Sequence, residues 1–389
     1  MRNICVITGT RADYGLLSGI MYAIKSSDEF ELQIIASCMH LSEDFGLTYK
    51  EIERDGYIIN EKIDMLLPGN STLSVSKSIG KGVIAFADAY ERLKPDLIII
   101  LGDRFEALSA AQTAMIANIP IAHIHGGEVT EGAIDESIRH AITKMSNLHF
   151  VSTLEFKKRV IQLGEQPDRI VVSGAPGLDN IKNMQKISKK KCENILNYKF
   201  LKRNFLITYH PETIQSSAEV CIDNLLIALN HFPDAGIIFT GPNADVGGNL
   251  IMEKLKNYAS ENSPRVTFFN SLGYDKYLKT LQHIDCVIGN SSSGLIEAPS
   301  FKIPTINIGD RQKGRIRASS VIDCDETVDG IIAGIREGLS DTFKYKLRHN
   351  INPYGDGNAA KIIMQTIKEI KFNKLLRKPF YDIMIGAVD

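Results

Sequence analysis

The sequence has no long apolar run, no excess of either charge and no closely spaced cysteines. Its longest apolar stretches, residues 96–102 and 119–127, fall far short of the ~20 residues that a membrane-spanning helix needs. Lys and Arg total 45 against 46 for Asp and Glu, so no surface for nucleic acid or for an anionic membrane is indicated. We therefore expect an ordinary soluble globular protein without nucleic-acid or membrane partners.

The six cysteines are scattered along the chain, and none belongs to a CxxC pair. This spacing favours buried free thiols in a reducing compartment over a disulfide framework. Met1 is followed directly by a strand-like ICVIT, without the basic and apolar regions of a secretory signal. The sequence thus predicts a cytoplasmic protein.

Short β-branched runs alternate with longer helical patterns along the whole chain, which predicts parallel sheets buried on both faces. At 389 residues the chain exceeds the usual size of one domain, so we expect two doubly wound α/β domains. The strand candidates are residues 4–9, 31–37, 96–103, 119–125, 148–153 and 169–174, then 205–211, 236–243, 265–270, 286–292, 304–310 and 320–325. Sheets of this kind bind ligands at the carboxyl ends of their strands, which predicts a cleft between the two domains.

The motif GTRADYG (9–15) follows the first strand and combines glycine with an arginine. Such a turn can present backbone N–H groups and the guanidinium of Arg11 to a phosphate. A salt bridge between Arg11 and Asp13 explains the pattern equally well. The motif lacks the GxGxxG spacing of a nicotinamide or flavin site, so a redox dinucleotide is disfavoured.

The motif GDRFEA (102–107) follows the most apolar strand. Asp103 at the dry rim of a sheet could act as a base, because burial raises the pKa of a carboxyl group. It could also cap the amino end of a helix predicted over 105–118. Arg104 could pair with Asp103 or bind a phosphate.

The motif HIHGGE (123–128) ends the next strand candidate and precedes DESIRH. His123 and His125 are expected on the same side of the strand, because side chains alternate. With Glu128 they resemble a zinc set, but no HExxH and no cysteine partner accompanies them, so acid/base chemistry fits better than metal binding. Taken alone, His123 is more simply a buried, hydrogen-bonded histidine. Asp135 and Arg139, four residues apart on a helix, could pair.

The second half contains GNSSSGLIEAPS (289–300), which closes a strand and opens a predicted helix. Glycine, Ser291 and Ser292 could cradle a phosphate at the positive end of that helix, and Glu297 could accept hydrogen bonds from ribose hydroxyls. The GK[ST] of a Walker A loop is missing. A capped helix after a serine-rich loop is the alternative, and the nearby Arg311 favours the nucleotide site.

GTRADYG, GDRFEA, HIHGGE with DESIRHAITKMS, YHPET, GPNAD, GNSSSGLIEAPS and INIGDRQKGR, in this order over residues 9–315, together resemble the hydrolysing UDP-N-acetylglucosamine 2-epimerases of bacterial sialic acid synthesis. The resemblance implies the GT-B fold, two Rossmann-like domains whose parallel sheets face each other across a cleft. It implies an N-terminal domain over 1–176 with the catalytic carboxylates, a UDP-binding domain over 177–365, and a C-terminal helix over 366–389 that crosses back to the first domain. A homodimer, a UDP-sugar substrate and no cofactor or metal are also implied.

The family's functional residues map onto this chain by motif. The implied UDP contacts are Arg11, Arg104, His210, Asn243, Tyr277 near the uracil, Ser291, Ser292, Glu297 and Arg311. The implied catalytic carboxylates are Asp103 and Asp135. Gly15 stands where many members have serine, and His125 stands where many have a glutamate considered catalytic. Either His125 or Glu128 then takes over that proton transfer.

The resemblance implies conversion of UDP-N-acetylglucosamine and water to N-acetylmannosamine and UDP, the first step of sialic acid synthesis. UDP would leave to give 2-acetamidoglucal, and water would then add. Three alternatives remain: the same reaction on UDP-N,N′-diacetylbacillosamine in legionaminic acid synthesis, a non-hydrolysing epimerase, and a GT-B glycosyltransferase or nucleotide-sugar binding protein. The carboxylates in the first half argue against this last alternative.

Overall fold

The computed structural model of the chain describes residues 1–69, 71–130, 134–211, 218–242 and 248–383. These residues form two compact units. Unit 1 comprises the described residues of Met1–Val129, Ala133–Lys182 and Tyr354–Asp389, and unit 2 those of Thr130–Gly132 and Asn183–Pro353. The sequence-based boundaries at 176/177 and 365/366 differ from these, because the chain returns to unit 1 at Tyr354.

Unit 1 is built on a parallel sheet of seven strands in the described part of the chain, in the order β3-β2-β1-β4-β5-β6-β7. The strands are β1 Arg2–Thr8, β2 Phe30–Ser37, β3 Glu61–Ile63, β4 Leu97–Leu101, β5 Ile121–Ile124, β6 Leu148–Val151 and β7 Ile170–Val172. The helices between them are α1 Arg11–Lys25, α2 Tyr49–Arg54, α3 Thr72–Leu93, α4 Phe105–Ile116, α5 Ile134–Met145, α6 Leu154–Gln162 and α7 Gly177–Asn183. The predicted βα alternation and parallel sheet are confirmed.

Both faces of this sheet are buried, as the continuous apolar runs predict. In β1, Ile4 and Val6 pack into one apolar cluster, and Cys5 and Ile7 pack into another. Two apolar layers therefore cover the two faces of the sheet, because successive side chains of a strand point to opposite sides.

The strands end earlier than the apolar runs suggest. β4 ends at Leu101 and is followed by Gly102 with a φ of 79°, and β5 ends at Ile124 and is followed by His125 with a φ of 68°. Both residues adopt the left-handed conformation, which takes the chain out of the sheet. Asp103 and His125 consequently lie on loops at the carboxyl edge of the sheet.

Unit 2 repeats the design with a six-stranded parallel sheet, counted over the described residues, in the order β10-β9-β8-β11-β12-β13. Its strands are β8 Arg203–Thr208, β9 Ala235–Thr240, β10 Val266–Phe269, β11 Cys286–Gly289, β12 Thr305–Ile308 and β13 Val321–Cys324. Its helices are α8 Lys189–Leu196, α9 Ala218–Leu229, α10 Gly248–Glu261, α11 Gly273–Leu281, α12 Ser293–Ile296, α13 Val328–Leu339 and α14 Asp341–Leu347. Each predicted strand of the second half has a counterpart here.

The last helix, α15 Ala359–Glu369, belongs to unit 1 and begins seven residues before the predicted position of 366. Its buried Ile363 and Ile367 join the apolar cluster that contains Leu17 of α1. The carboxylate of Asp179 in α7 accepts hydrogen bonds from the backbone N–H groups of Ala359 and Ala360, at 2.8 and 2.6 Å. A distant aspartate thus caps the helix, since Asn358 makes no cap of its own.

A buried carboxylate holds the segment after α15 against unit 1. Glu165 is fully buried and accepts from Lys144 at 2.9 Å, Lys378 at 3.0 Å and His149 at 3.0 Å. Burial alone would raise the pKa of Glu165, but the hydrogen bonds from His149 and Lys144 outweigh it and lower the pKa to about 2. Glu165 is therefore charged and links the C-terminal segment to α5 and β6.

In the described residues, no helix is long and apolar enough to cross a membrane. All six cysteines are free, five of them buried and Cys324 half-buried, as their spacing predicts.

The substitution Glu165→Gln is expected to reduce the free energy of unfolding of unit 1 by about 3 kcal/mol, because two lysines lose their buried counter-charge. Chemical denaturation would measure the loss. The exposed Glu31 serves as a control, and Glu31→Gln should change stability by less than about 0.5 kcal/mol.

The difference between wild type and Glu165→Gln should depend on pH in one direction. The charged form of Glu165 stabilises, so the difference should be complete at neutral pH and disappear as the pH falls from the ordinary pKa of 4.5 toward about 2. Equal stabilities at neutral pH would show that this cluster contributes nothing.

Candidate active site

Arg139 organises the polar groups at the carboxyl edge of the sheet in unit 1. Its side chain is buried and donates to the carboxylates of Asp103 and Glu136 and, at 2.9 Å, to the backbone carbonyl of Glu128. This guanidinium joins the loop after β4, the loop after β5 and helix α5. It also places a positive charge directly beside the carboxylate of Asp103.

His123 is a structural residue. It is fully buried, with Nε2 at 2.7 Å from the carbonyl oxygen of Gly102 and Nδ1 at 3.1 Å from the hydroxyl of Thr143. Burial lowers the pKa of His123 to about 3, so the ring is neutral, and Nε2–H donates to Gly102. The simpler interpretation of His123, a buried and hydrogen-bonded histidine, is confirmed.

His125 forms a close pair with Glu128. Its Nδ1 lies 2.5 Å from Oε1 of Glu128, which also accepts a 3.0 Å hydrogen bond from the hydroxyl of Ser152. The carboxylate orients the imidazole through Nδ1 in the manner of a histidine–carboxylate dyad. The expectation that His123 and His125 share one side of a strand is wrong, because β5 ends at Ile124 and His125 adopts a left-handed conformation.

The ion pairs considered from the sequence, Arg11 with Asp13 and Arg104 with Asp103, are also wrong. Arg11 forms its ion pair with Glu51 at 2.9 Å, while Asp13 accepts from the backbone N–H of Thr10 as part of a capping box at the start of α1. Arg104 pairs with Glu106 at 2.7 Å. It also occupies the cap position of α4 that was expected for Asp103, and it makes no side-chain cap there.

Asp135 lies in the first turn of α5 and is half-buried, on the helix that also carries Arg139 and Glu136. Glu136, the next residue of this helix, forms an ion pair with Arg139 at 3.1 Å. The loop that precedes α5 includes residues 131–133, which lie outside the described part of the chain.

In unit 2, the loops after β8 and β11 are joined by Asn290. Its side-chain oxygen accepts from the backbone N–H of His210 at 2.7 Å, and its amide donates to the carbonyl of His210 at 2.9 Å. The preceding Gly289 has a φ of 130°, and a Cβ there would lie 2.0 Å from the carbonyl oxygen of Thr208. Glycine is therefore required where the two strands end.

The same asparagine receives Arg311. The backbone carbonyl of Asn290 accepts from Arg311 at 3.0 Å and from Gln312 at 2.8 Å, so the loop after β12 is held against the loop after β11. Burial and the charge of Arg311 lower the pKa of His210 to about 3. His210 is consequently a neutral group beside an arginine.

Tyr277, Ser293 and Glu297 form the other part of this edge. The hydroxyl of Ser293 donates to that of Tyr277 at 2.7 Å. Burial and the charge of Glu297 raise the pKa of Tyr277. The helix opened by Ser291 and Ser292 is α12, which has only four residues. Its dipole is small, so an anion here would depend on hydroxyl groups, backbone N–H groups and Arg311 more than on a helix end.

The structure thus brings Arg11, Arg104, Asp103, His125 and Glu128 to the carboxyl edge of unit 1. It brings His210, Tyr277, Ser291, Ser292, Glu297 and Arg311 to that of unit 2. Asn243 lies outside the described residues. Among the described residues, no group of three or more His, Cys, Asp or Glu is placed to hold a metal ion.

Sequence reasoning overlooked Arg139, Glu106 and Asn290 as site residues. Arg139 was considered only as a partner of Asp135 on the same helix. Asn290 directly follows a glycine at a strand end, which is a signal that could have identified it. No sequence pattern indicated Glu106, because its burial depends on the turn between β1 and α1, which is distant in sequence.

Two parallel α/β units, with histidine and carboxylate groups at one carboxyl edge and arginine and serine groups at the other, are the arrangement expected of an enzyme that acts on a nucleotide-sugar. The chain matches the family described as UDP-N-acetylglucosamine 2-epimerase over residues 22–368, and it belongs to this family of UDP-sugar 2-epimerases.

Three relatives are similar over nearly the whole chain. It is 44% identical to the GDP/UDP-N,N′-diacetylbacillosamine 2-epimerase (hydrolyzing) of Campylobacter jejuni, covering 98% of this chain and 99% of that protein. It is 39% identical to the polysialic acid biosynthesis protein P7 of Escherichia coli, covering 98% of each. It is 37% identical to the UDP-N,N′-diacetylbacillosamine 2-epimerase (hydrolyzing) of Legionella pneumophila, covering 95% and 96%.

The fold is also similar to that of a solved enzyme. The crystal structure of UDP-GlcNAc 2-epimerase from Neisseria meningitidis bound to UDP-GlcNAc superposes with a TM-score of 0.80 at 19% identity, covering 95% of this chain and all of that one. The predicted GT-B class is therefore confirmed.

The role of Asn290 can be tested against a built-in control. Asn204 makes the same reciprocal pair of hydrogen bonds with the backbone of Leu201, at the opposite end of β8. Asn290→Ala and Asn204→Ala should each lower the free energy of unfolding by about 1–3 kcal/mol, because each leaves buried backbone groups unpaired.

Only Asn290→Ala should weaken the binding of UDP, because only that change removes the two side-chain hydrogen bonds that hold the backbone of His210. Titration calorimetry would measure both affinities. Equal UDP affinities in the two variants would remove Asn290 from the site.

Proposed function

We propose that the protein is a hydrolysing 2-epimerase that converts UDP-N-acetylglucosamine and water to N-acetylmannosamine and UDP. The observation that carries this proposal is the arrangement around Arg139. One buried guanidinium binds the carboxylate of Asp103 and the backbone of Glu128, whose carboxylate holds His125. Two groups able to transfer protons, Asp103 and His125, are thereby fixed to the same anchor.

The substrate requires such a pair. C2 of a 2-acetamido sugar is not adjacent to a carbonyl carbon, so its proton is only weakly acidic. Loss of this proton becomes feasible when the C1–O bond to UDP breaks in the same process, which yields 2-acetamidoglucal and UDP. Water then adds its hydroxyl to C1, and a proton is delivered to the opposite face of C2 to give N-acetylmannosamine.

Each step assigns a role to a side chain. Asp103, paired with Arg139, is the carboxylate proposed to remove the C2 proton. His125 stands where many family members have a glutamate, and Glu128 orients its ring through Nδ1. The proposed role of His125 is to exchange a proton through Nε2. Asp135 completes the proposed catalytic set as a third carboxylate of unit 1. Titratable groups in different environments can have different pKa values, so that one acts as the acid and another as the base in the same reaction.

Departure of UDP leaves negative charge on its diphosphate. Arg11 and Arg104 in unit 1, and Arg311 with Ser291 and Ser292 in unit 2, are the proposed donors to that charge. His210, Asn243 and Tyr277 are proposed UDP contacts, and Glu297 is the proposed acceptor for the ribose hydroxyls. Because His210 is neutral, it would contact UDP as a hydrogen-bonding group and not as a cation.

A second substrate is favoured by the similarity to known enzymes. Two of the relatives described above, at 44% and 37% identity, are named as hydrolysing epimerases of N,N′-diacetylbacillosamine nucleotides. The relative at 39% is named for polysialic acid biosynthesis, which fits N-acetylmannosamine as the product. The reaction is the same for both sugars. We propose a cytoplasmic homodimer without a cofactor, as the resemblance implies.

Incubation with UDP-N-acetylglucosamine in deuterated water should release UDP and N-acetylmannosamine with one deuterium at C2, because the proton at C2 is lost and regained from solvent. Mass spectrometry of the products would measure both. Parallel incubation with UDP-N,N′-diacetylbacillosamine would identify the preferred substrate by its kcat/KM.

The outcomes separate the competing functions. Formation of UDP-N-acetylmannosamine without free UDP would indicate a non-hydrolysing epimerase. An intact UDP-sugar in the absence of an acceptor would indicate a transferase or a binding protein.

The role of His125 can be tested by restoring the family residue. His125→Asn should lower kcat by ~10²-fold or more, because it removes a proton-transfer group. His125→Glu should retain much more activity, since it places a carboxylate where many relatives carry one. His140, a half-buried histidine on α5 that pairs with Glu136 at 3.1 Å, provides the control His140→Asn. Equal kcat values for wild type and His125→Asn would show that His125 only contacts the sugar.

A further inference from the structure

Glu106 is a buried carboxylate that the proposed mechanism does not use. It lies in the first turn of α4, within GDRFEA, and is only 2% exposed. Its side chain extends beneath the turn between β1 and α1, where a Cβ on Gly9 would lie 2.3 Å from its Oε1. GTRADYG and GDRFEA, distant in sequence, therefore fit together through this side chain.

Glu106 binds one edge of the Arg104 guanidinium. Its Oε1 accepts from Nε of Arg104 at 2.7 Å, and Nη2 of Arg104 lies 3.5 Å from the sulfur of Met39. Within the described residues, Nη1 of Arg104 has no hydrogen-bond partner, and its side chain is 37% exposed. One edge of the guanidinium is anchored, and the other can meet a ligand.

The arrangement is costly for a structural role. In the described part of the chain, the buried Oε2 of Glu106 has no hydrogen-bond partner. Burial and the charge of Glu106 raise the pKa of the nearby Asp13 to about 6, and Arg104 opposes this shift. An apolar residue would fill the space beneath Gly9 without either penalty.

A carboxylate here also opposes anion binding. Its negative charge lies beside the arginine that is expected to attract a diphosphate, and like charges repel. Simple electrostatics thus predicts that removal of the charge strengthens the binding of UDP. The benefit of Glu106 must come from the orientation of Arg104, because Arg forms directional hydrogen bonds through a rigid planar group.

We propose that Glu106 is a positioning residue, which fixes Arg104 so that its exposed edge meets the charge that develops on the departing nucleoside diphosphate. The inference rests on the proposed function and adds a residue to it. Arg104 contributes most when the C1–O bond breaks, so its orientation affects the rate more than the affinity for the ground state.

The test compares Glu106→Gln with Glu155→Gln. Glu155 occupies the corresponding position in the first turn of α6 and is exposed, so this control removes the same charge from an equivalent helix position. Glu106→Gln should lower kcat at least about tenfold, because a displaced donor forfeits part of the ~10²–10³-fold that one such donor contributes. Its affinity for UDP, measured by titration calorimetry, should be unchanged or higher. Glu155→Gln should match wild type in both.

A double-mutant cycle with Arg104→Ala separates positioning from general support of the fold. If Glu106 acts through Arg104, Glu106→Gln should lower kcat in the wild-type background but not further in Arg104→Ala. An equal further loss would overturn the inference, and so would an unchanged kcat or a parallel loss of kcat and UDP affinity. If Glu106→Gln does not fold, Glu106→Asp, which shortens the reach to Arg104, makes the same comparison.

Failure of this inference differs from failure of the proposed function. A wild-type protein that releases UDP from neither UDP-sugar would refute the function. A wild-type protein that releases UDP, with a Glu106→Gln variant of equal kcat, would refute only the role of Glu106.

Discussion

The site in unit 1 depends on the burial of one guanidinium. Arg139 donates to two carboxylates and one carbonyl, and these come from three separate segments of the chain. A buried arginine is tolerated only when its donors are satisfied with good geometry, so the loops after β4 and β5 must keep their positions relative to α5. The same requirement that makes the charge acceptable therefore makes the site rigid. This rigidity matters for proton transfer, whose rate depends on distance and alignment.

Unit 2 reaches a similar result without a buried charge. A neutral asparagine joins three loops: the side-chain amide of Asn290 pairs with the backbone of His210, and its backbone carbonyl accepts from Arg311 and Gln312. The difference suits the expected ligands. An anion-binding edge gains from positive charge, and a carboxylate at position 290 would oppose the binding of an anion.

The fold was largely predictable because its signals are local. Continuous apolar runs such as 96–102 identify parallel strands, and the spacing between most consecutive runs leaves room for a helix. The ends of the strands were less predictable, since they depend on single residues in the left-handed conformation. His125 is the clearest example: alternation placed it in the strand with His123, and a φ of 68° takes it out.

The partners of the site residues could not be predicted from the sequence. Asp103 pairs with Arg139 and Arg11 with Glu51, and both partners come from distant segments. Arg104 pairs with Glu106, two residues along the chain, and not with the adjacent Asp103. A pattern of residues indicates which chemistry is present. Only the packing of loops decides which charge faces which, and loop packing leaves no periodic signal in the sequence.

The docking of α15 on unit 1, where Asp179 caps the helix, has a consequence for how the chain folds. Unit 1 is discontinuous: its sheet is complete by Val172, yet the apolar surface of α1 remains uncovered until residues 359–369 arrive. During synthesis, all of unit 2 emerges before that helix exists. Unit 2 can therefore fold completely while the part of α1 that α15 covers is still exposed to water in unit 1. During synthesis, chaperone binding and proteolysis should concentrate on this exposed apolar surface of α1.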